Sequence, residues 1–329
     1  MLNGKTILVT GGTGSFGKNF IGFVLKNYKP KKIIVYSRDE FKQWQLAEQL
    51  KQRSDVMRYF IGDVRDKDRL RRALNGVDYI VHAAALKQVP ACEYNPLEAI
   101  KTNIDGAANV IDAALDRGVK KVVALSTDKA VNPINLYGGT KLVSDKLFVA
   151  ANAYGGISNT VFAVVRYGNV CGSRGSVIPF FQSLIDQGRT DLPITDCRMT
   201  RFWINLDQGV ELVVKALAEA AGGEVFISKI PSFKITDLAQ AMLPGCDMPE
   251  IGIREGEKLH EIMVTKEDAP FTYEYKEHYI IYPHMNWWNE DKLIPGGTRV
   301  APGFEYSSDK NTQWLDISAL KERLVTDII

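Results

Sequence analysis

Two rhythms of apolar and polar positions alternate along the first half of the chain. KTILVT, KKIIVYS, MRYFIGDV, VDYIVHAAA, VKKVVALST and TVFAVVRYGNV are short apolar runs rich in Val and Ile. Such runs predict strands covered on both faces, the habit of a parallel sheet. Between them, KNFIGFVLKNY, DEFKQWQLAEQLKQR, DRLRRALN and PLEAIKTNIDGAANVIDAALDRG place apolar residues at helical spacing, the last as a single segment. Strand and helix alternate about six times by residue 170, which predicts an α/β fold built on a Rossmann-type doubly wound parallel sheet. Beyond that point Gly and Pro become frequent, elements shorten, and YIIYPHMNWWN gathers aromatic residues. The expected division is a dinucleotide-binding domain over 1–170 and a smaller C-terminal α/β substrate-binding lobe over most of 171–329. EVFISK, residues 224–229, is open to returning as a strand of the main sheet. The aromatic cluster reads as core or interface packing in preference to a sugar-stacking platform.

Composition narrows the class. The 329 residues are 45% hydrophobic and 24% charged, with a net charge of +2 and both signs interspersed. This gives no electrostatic case for a nucleic-acid partner. Four scattered cysteines (Cys92, Cys171, Cys197, Cys246) form no C-x-x-C pair. They read as buried reduced thiols, with no metal site expected. MLNGKTILVTGG lacks a cationic region followed by a long apolar one, and no apolar run approaches the roughly 20 residues that cross a bilayer. The expectation is a soluble, cytoplasmic protein with no membrane partner.

TGGTGSFG follows the first strand and opens the first helix. Gly11, Gly14 and Gly17, with Thr13, Ser15 and Phe16 between them, permit a tight turn and bring backbone N–H groups close to a pyrophosphate at the positive helix end. The second strand ends at Ser37, Arg38 and Asp39, with Lys42 one turn on. A hydroxyl and a guanidinium there suit a ribose 2′-phosphate, so the expected cofactor is NADP, while Asp39 leaves NAD open. Asp63-Val64 ends the third strand, where an Asp commonly meets the adenine amine. Ala83 and Ala84 close the fourth, where small side chains let a dinucleotide pass. His82 beside them reads as a packed, hydrogen-bonded histidine.

LSTDKAVNPINLYGGTK, ending at Lys141, carries the candidate chemistry. Tyr137 and Lys141 lie four apart and share a helix face, so the ammonium is expected to lower the phenol pKa and make a base for alcohol oxidation. Thr127, Asp128 and Lys129 just upstream exceed what hydride transfer alone needs. Read without function, Asp128 and Lys129 are a surface ion pair at a strand end.

The combined pattern TGxxGxxG, Asp-Val, Ala-Ala-Ala and YxxxK resembles the extended short-chain dehydrogenase/reductase superfamily. Within it, GGTGSFG, SRDEFKQ, HAAALKQVP, NPLEAIKTN, LSTDKAVNPINLYGGTK, RYGNVCGSRGSVIPFF, MTRFWI and GEKLHE are similar to the inverting UDP-N-acetylglucosamine 4,6-dehydratases, which include the enzyme opening pseudaminic acid biosynthesis. The likeness runs over nearly the whole chain and favours the family's short soluble branch. It implies oxidation at the sugar C4 by NADP with Tyr137 as base, loss of water across C5 and C6, and return of hydride to C6. In that scheme Lys129 takes the C5 proton, Asp128 is the acid and Thr127 binds the C4 oxygen. Lys129 stands where retaining relatives carry Glu, and the C5 configuration inverts. A lysine base must be neutral, so its pKa is expected to fall by several units from roughly 10.4.

The resemblance further implies that Lys87, Asn169, Arg174, Thr195, Arg254 and Glu257 hold the UDP-sugar. Arg254 faces the pyrophosphate and Glu257 the uridine ribose. Val170 to Arg174 border the nicotinamide, Val177 packs on the uridine part, and Arg201 is a weaker pyrophosphate candidate. Two positions depart from the family: Gly139 where Ala is frequent, and Glu255 where Pro is usual, beside Arg254. The expected partners are UDP-N-acetylglucosamine and further copies of the chain in a homo-oligomer, with a hexamer as one option. The alternatives are a UDP-sugar 4-epimerase, which has no need of Asp128 and Lys129, and a non-catalytic NADP-sensing protein.

Overall fold

A computed structural model describes residues 1–154, 159–172 and 175–327. Its first six strands are β1 (Thr6–Thr10), β2 (Lys32–Ser37), β3 (Met57–Ile61), β4 (Tyr79–His82), β5 (Lys121–Thr127) and β6 (Val161–Tyr167). They pair in parallel in the order β3-β2-β1-β4-β5-β6. β1 and β4 are buried at every position, as unbroken apolar runs require when both faces are covered. β3, at the sheet edge, is partly exposed. The chain reverses its direction of travel across the sheet between β3 and β4. A crevice therefore opens beyond the C-terminal ends of β1 and β4, where ligands of such sheets bind.

The early helices are α1 (Ser15–Asn27), α2 (Glu40–Gln49), α3 (Lys67–Ala73), α4 (Val89–Tyr94), α5 (Pro96–Ile100), α6 (Gly106–Asp116) and α7 (Leu136–Ala150). The single segment expected over 96–118 is interrupted: residues Lys101–Asp105 form a π turn between α5 and α6. Its cause is tertiary. Asn103 leaves the helical pattern to donate to the Leu86 carbonyl and the Thr140 hydroxyl and to accept from the Leu86 N–H. Gly106, next along, packs against the Val64 side chain.

More of the later chain returns to the sheet than the one strand allowed for. Downstream of α8 (Val177–Asp186), β7 (Thr200–Phe202) and α9 (Leu206–Glu219), β8 (Val225–Ser228) joins parallel to β6. The sheet then continues antiparallel through β12 (His278–Ile281), β11 (Thr272–Glu274) and β13 (Thr298–Arg299), giving ten strands. β7 pairs with β9 (Ser232–Lys234), which leads into α10 (Ile235–Met242). β10 (Ile262–Val264) pairs with β14 (Tyr306–Ser307), and α11 (Ile317–Thr326) follows. A large core fills the space around the ten-stranded sheet. A second, smaller core lies among α8, α10 and α11, with Phe181, Trp203, Phe233 and Leu238 fully enclosed.

The aromatic stretch near the C-terminus packs at the far side of the sheet, where Tyr282 lies against Trp288 at 5.2 Å between ring centroids. Cys92 and Cys246 are buried and Cys171 is half-buried. Cys197 departs from the expectation and is exposed, on the loop leading to β7. No helix among the described residues is long and apolar enough to cross a membrane.

Candidate active site

The glycine loop between β1 and α1 is shaped by close backbone approach. Gly11 has φ +66°, and a Cβ there would lie 3.0 Å from the Ala84 backbone. A Cβ on Gly17 would lie 2.5 Å from Gly12 Cα, so only glycine lets α1 sit this near the strand end. Gly14 caps α1 without a side-chain hydrogen bond, leaving the first helical N–H groups directed at the crevice. Thr10 Oγ1 accepts from the Ala83 and Ala84 N–H groups and shares a hydrogen bond with His82 Nδ1 at 2.9 Å. Burial, and then the charge of Lys141, push His82 down to about 3, so it is a neutral core residue. This cradle fits a dinucleotide pyrophosphate.

At the tip of β2, Ser37 is buried and accepts from Gln43 Nε2, while Arg38 is exposed and lies 3.6 Å from Asp63. Asp39 is committed elsewhere. Its Oδ1 caps α2 through the Lys42 N–H, and its Oδ2 pairs with Lys42 Nζ at 2.8 Å. Asp63 accepts from the Arg65 N–H and guanidinium, which outweigh its burial and hold it below the usual carboxylate range. Val64 is buried against Gly106.

The catalytic candidates meet where β5 ends. Residues Asp128–Ala130 form a tight 3₁₀ turn, and Thr127 Oγ1 donates to Asp128 Oδ1 at 2.8 Å. Asn135 caps α7 by accepting the Gly138 N–H, which sets Tyr137 in the first turn with its phenol hydrogen-bonded to Thr127. Lys129 folds inward. Its Nζ lies 2.8 Å from Asn169 Oδ1, 3.3 Å from Asp128 Oδ1 and 3.5 Å from Glu261 Oε1. Asp128 is 1% exposed, so the surface ion pair is not what forms.

Burial, and behind it the Glu261 carboxylate, raise Asp128 above the usual carboxylate range; Lys129 and Thr127 oppose this without cancelling it. Glu261 goes the other way. Burial pushes it up, but Lys129, Arg201 and Lys258 together hold it below its ordinary value. Two neighbouring carboxyls are thereby shifted in opposite directions, Asp128 up and Glu261 down.

Two expectations are corrected. Burial acts to lower Lys129, yet the Asp128 and Glu261 carboxylates leave its pKa raised, where a fall was expected. Burial raises Tyr137 to about 12 against the opposing pull of Lys129 and Thr127. Lys141, expected to draw the phenol toward neutrality, is itself lowered by burial and is countered by Asp145. Asp145 lies one helical turn further on; its Oδ2 accepts from Ser126 Oγ at 2.6 Å and faces Arg166 at 3.6 Å.

Beyond this turn a cavity of about 200 Å³ is lined by Asn169, Val177, Phe180, Thr195, Arg254 and Glu257, among others. Val170, next to Asn169, bridges to Ile204. Thr195 Oγ1 is turned to Met199 Sδ at 3.2 Å. Lys87 is not among the residues lining this cavity and is exposed on the surface, yet desolvation and then the charge of Lys129 lower its pKa. Arg254 is exposed, with its guanidinium 6.0 Å from the Phe180 ring, and Glu255 beside it faces solvent. Arg201 lines the same cavity. It is buried, and its guanidinium donates to the carbonyls of Thr200, Lys258 and Leu259 and to Glu257, bracing the 257–261 segment. Arg174 lies outside the described residues.

Three residues escaped the sequence reading. Asn103 carried no signal inside a helical pattern. Asp145 had one, four positions beyond Lys141 on the same helix face. Glu261 is the last letter of GEKLHE, and nothing local marks it as buried beside Lys129.

The sequence matches the family described as polysaccharide biosynthesis protein over residues 7–283. It is 56% identical over 335 aligned positions to a UDP-N-acetylglucosamine 4,6-dehydratase (inverting) of Campylobacter jejuni, covering 100% of this chain and 98% of that one. Among solved structures, Pen from Bacillus thuringiensis is 37% identical with a TM-score of 0.89, covering 99% and 98% of the two chains. DesIV, a dTDP-glucose 4,6-dehydratase from Streptomyces venezuelae with NAD and TYD bound, is 25% identical with a TM-score of 0.69, covering 77% and 86%.

Proposed function

The chain belongs to the polysaccharide biosynthesis protein family of extended short-chain dehydrogenases/reductases, and from that premise we propose that it is an NADP-dependent, inverting UDP-N-acetylglucosamine 4,6-dehydratase. One observation carries the reading. A buried Asp128, its pKa raised, and an inward-turned Lys129 amine share a single turn, joined through Thr127 to the Tyr137 phenol on α7. A hydride-transfer enzyme or an epimerase has no use for that acid and amine.

Tyr137, hydrogen-bonded through Thr127, takes the proton of the C4 hydroxyl. A nicotinamide dinucleotide held by the Gly11–Gly17 loop would supply the hydride acceptor for C4 and the hydride donor for C6, with no net redox change. The 4-ketone acidifies C5, because the electron pair left there is delocalised onto the carbonyl oxygen. Lys129, as the free amine, takes the C5 proton, and Asp128 protonates the departing C6 hydroxyl as the C6–O bond breaks. Reprotonation of C5 on the opposite face gives the L-arabino product. Asn169 holds the Lys129 amine by a hydrogen bond, and Lys141 orients the cofactor ribose beside Tyr137. Lys87, Thr195, Arg254 and Glu257 bind the nucleotide sugar, with Val177 against the uracil.

Gly11, Thr13, Gly14, Ser15, Phe16 and Gly17, with Asp63, Val64, Ala83 and Ala84, hold the dinucleotide, so residues 1–170 bind mainly cofactor and 171–329 mainly substrate. NADP is favoured over NAD because Asp39 is spent on capping α2 and pairing Lys42, while Arg38 stands exposed beside it. Arg38→Ala is expected to weaken NADP binding by about 10-fold or more and NAD binding little, measured by titration of each cofactor. We place the enzyme in the cytoplasm, as a homo-oligomer, making the first intermediate of pseudaminic acid or a related amino-deoxy sugar.

Proton NMR of UDP-N-acetylglucosamine turnover in D₂O tests the reading. The expected product is a 4-keto-6-deoxy sugar with inverted C5 bearing one deuterium. Accumulation of UDP-N-acetylgalactosamine overturns it in favour of a 4-epimerase, and retained C5 configuration overturns inversion.

A further inference from the structure

The catalytic turn holds one carboxylate more than this chemistry uses. Glu261 is 2% exposed and immediately precedes β10. Its backbone is pinned on both sides by Ser308, whose N–H donates to the Glu261 carbonyl and whose Oγ accepts the Glu261 N–H. Its side chain thus enters the site from a segment 132 residues away in sequence from Lys129. Oε1 lies 3.5 Å from Lys129 Nζ and 3.7 Å from Arg201 Nε. Oε2 is buried and has no hydrogen-bond partner among the described residues.

Such a group is costly to a fold. A buried carboxylate oxygen without a donor loses its hydration and gains nothing in return. The charged groups around it come from three elements: Asp128 and Lys129 from the turn after β5, Arg201 from β7, and Lys258 from the loop that carries Glu261. Arg201 and Lys258 are occupied by backbone carbonyls, Lys258 by that of Val131. Among the described residues, that leaves Lys129 as the cation here whose proton the reaction has to move.

We propose that Glu261 is a positioning residue for the elimination: it anchors the Lys129 amine, keeps Asp128 in its acid form, and takes up the Lys129 proton so that the amine can act as the base at C5. This rests on the dehydratase reading above. The step is a proton transfer without redox change, ammonium and carboxylate becoming amine and carboxylic acid. Within a water-excluded site it converts an ion pair into two neutral groups and leaves the net charge unaltered. Release of that proton to solvent would instead change the net charge of the buried site. Protonation of Glu261 breaks no hydrogen bond at Oε2, since none is made there. Arg201 and Lys258 keep Glu261 charged at rest, so the transfer awaits the sugar that displaces water from Lys129.

The test compares wild type, Glu261→Gln and Glu261→Asp in single turnovers with UDP-N-acetylglucosamine across pH, following reduced nicotinamide, C5 deuterium and product. Loss of the anion lowers the pKa of Asp128, so the alkaline limb, where the acid ionises, moves to lower pH. Glu261→Gln is expected to bind NADP and melt like wild type, to build up reduced nicotinamide, and to lose dehydration about 100-fold. Its alkaline limb should move down by about one pH unit. Glu261→Asp keeps the charge, so it should keep the wild-type pH profile at reduced rate. Dehydration by Glu261→Gln within about threefold of wild type, or slow dehydration with an unmoved profile, assigns Glu261 a structural role and overturns the proposal. If Glu261→Gln does not fold, a displaced profile in Glu261→Asp overturns it. Failure of the wild type to dehydrate overturns the dehydratase reading and this one with it.

Discussion

Asp128 and Lys129 are adjacent in the chain, yet their surroundings give them opposite tasks. Burial and Glu261 raise the pKa of Asp128, the direction the proposed acid needs. The sign of its effect on stability follows. A carboxyl whose folded pKa is raised costs nothing at pH below its unfolded value and destabilises increasingly as pH rises above the ordinary carboxylate range. Asp128→Asn keeps an oxygen to accept from Thr127 and Lys129 but cannot give a proton. It is expected to lose dehydration by about 100-fold or more, with C4 oxidation retained. Its melting temperature should be no lower than wild type at pH 6 and should gain on wild type as the pH rises, checked by thermal melts over a pH series. The tripeptide itself was legible in the sequence. The charges on it were not, because the residue that sets them is 132 positions away.

The element that positions the chemistry is α7, and its two glycines separate local from tertiary demands. Gly139 has open space where a Cβ would sit, so its departure from the family's alanine costs helix stability and nothing else. Gly139→Ala is expected to stabilise the protein by about 0.5–1 kcal/mol with turnover unchanged, read as a rise in melting temperature. Gly138 is the opposite case. A Cβ there would fall 2.1 Å from the Lys129 carbonyl, in the turn that carries the acid and the amine. Gly138→Ala is expected to displace that turn and cut turnover by about 10-fold or more, while cofactor titration is little changed. Helix α7 was legible only in the Tyr137 and Lys141 spacing, whereas the apolar period located α1, α2, α3 and α6. It missed the π turn before α6, since that break is made by Asn103 reaching Leu86 and Thr140 across space.

Across the whole molecule, the sheet and its large core hold the crevice proposed for the cofactor, while the small core among α8, α10 and α11 backs the cavity proposed for the nucleotide sugar. Leu238 is fully enclosed in that small core. Leu238→Ala is expected to cost about 2–5 kcal/mol, to raise the KM for UDP-N-acetylglucosamine, and to leave NADP titration close to wild type. An equal loss of both ligands would show that the two cores do not divide the work. The doubly wound sheet and the glycine loop were legible in the chain's own order of residues, as were Tyr137 and Lys129 as candidates for the chemistry. Those depend on short-range period and on motifs whose members are neighbours. Only the tertiary structure decided how much of the C-terminal chain returns to the sheet, that Arg201 braces a loop, and that Glu261 stands beside Lys129. These depend on contacts between distant segments, and burial and charge act on a residue through space, whatever its position in the chain.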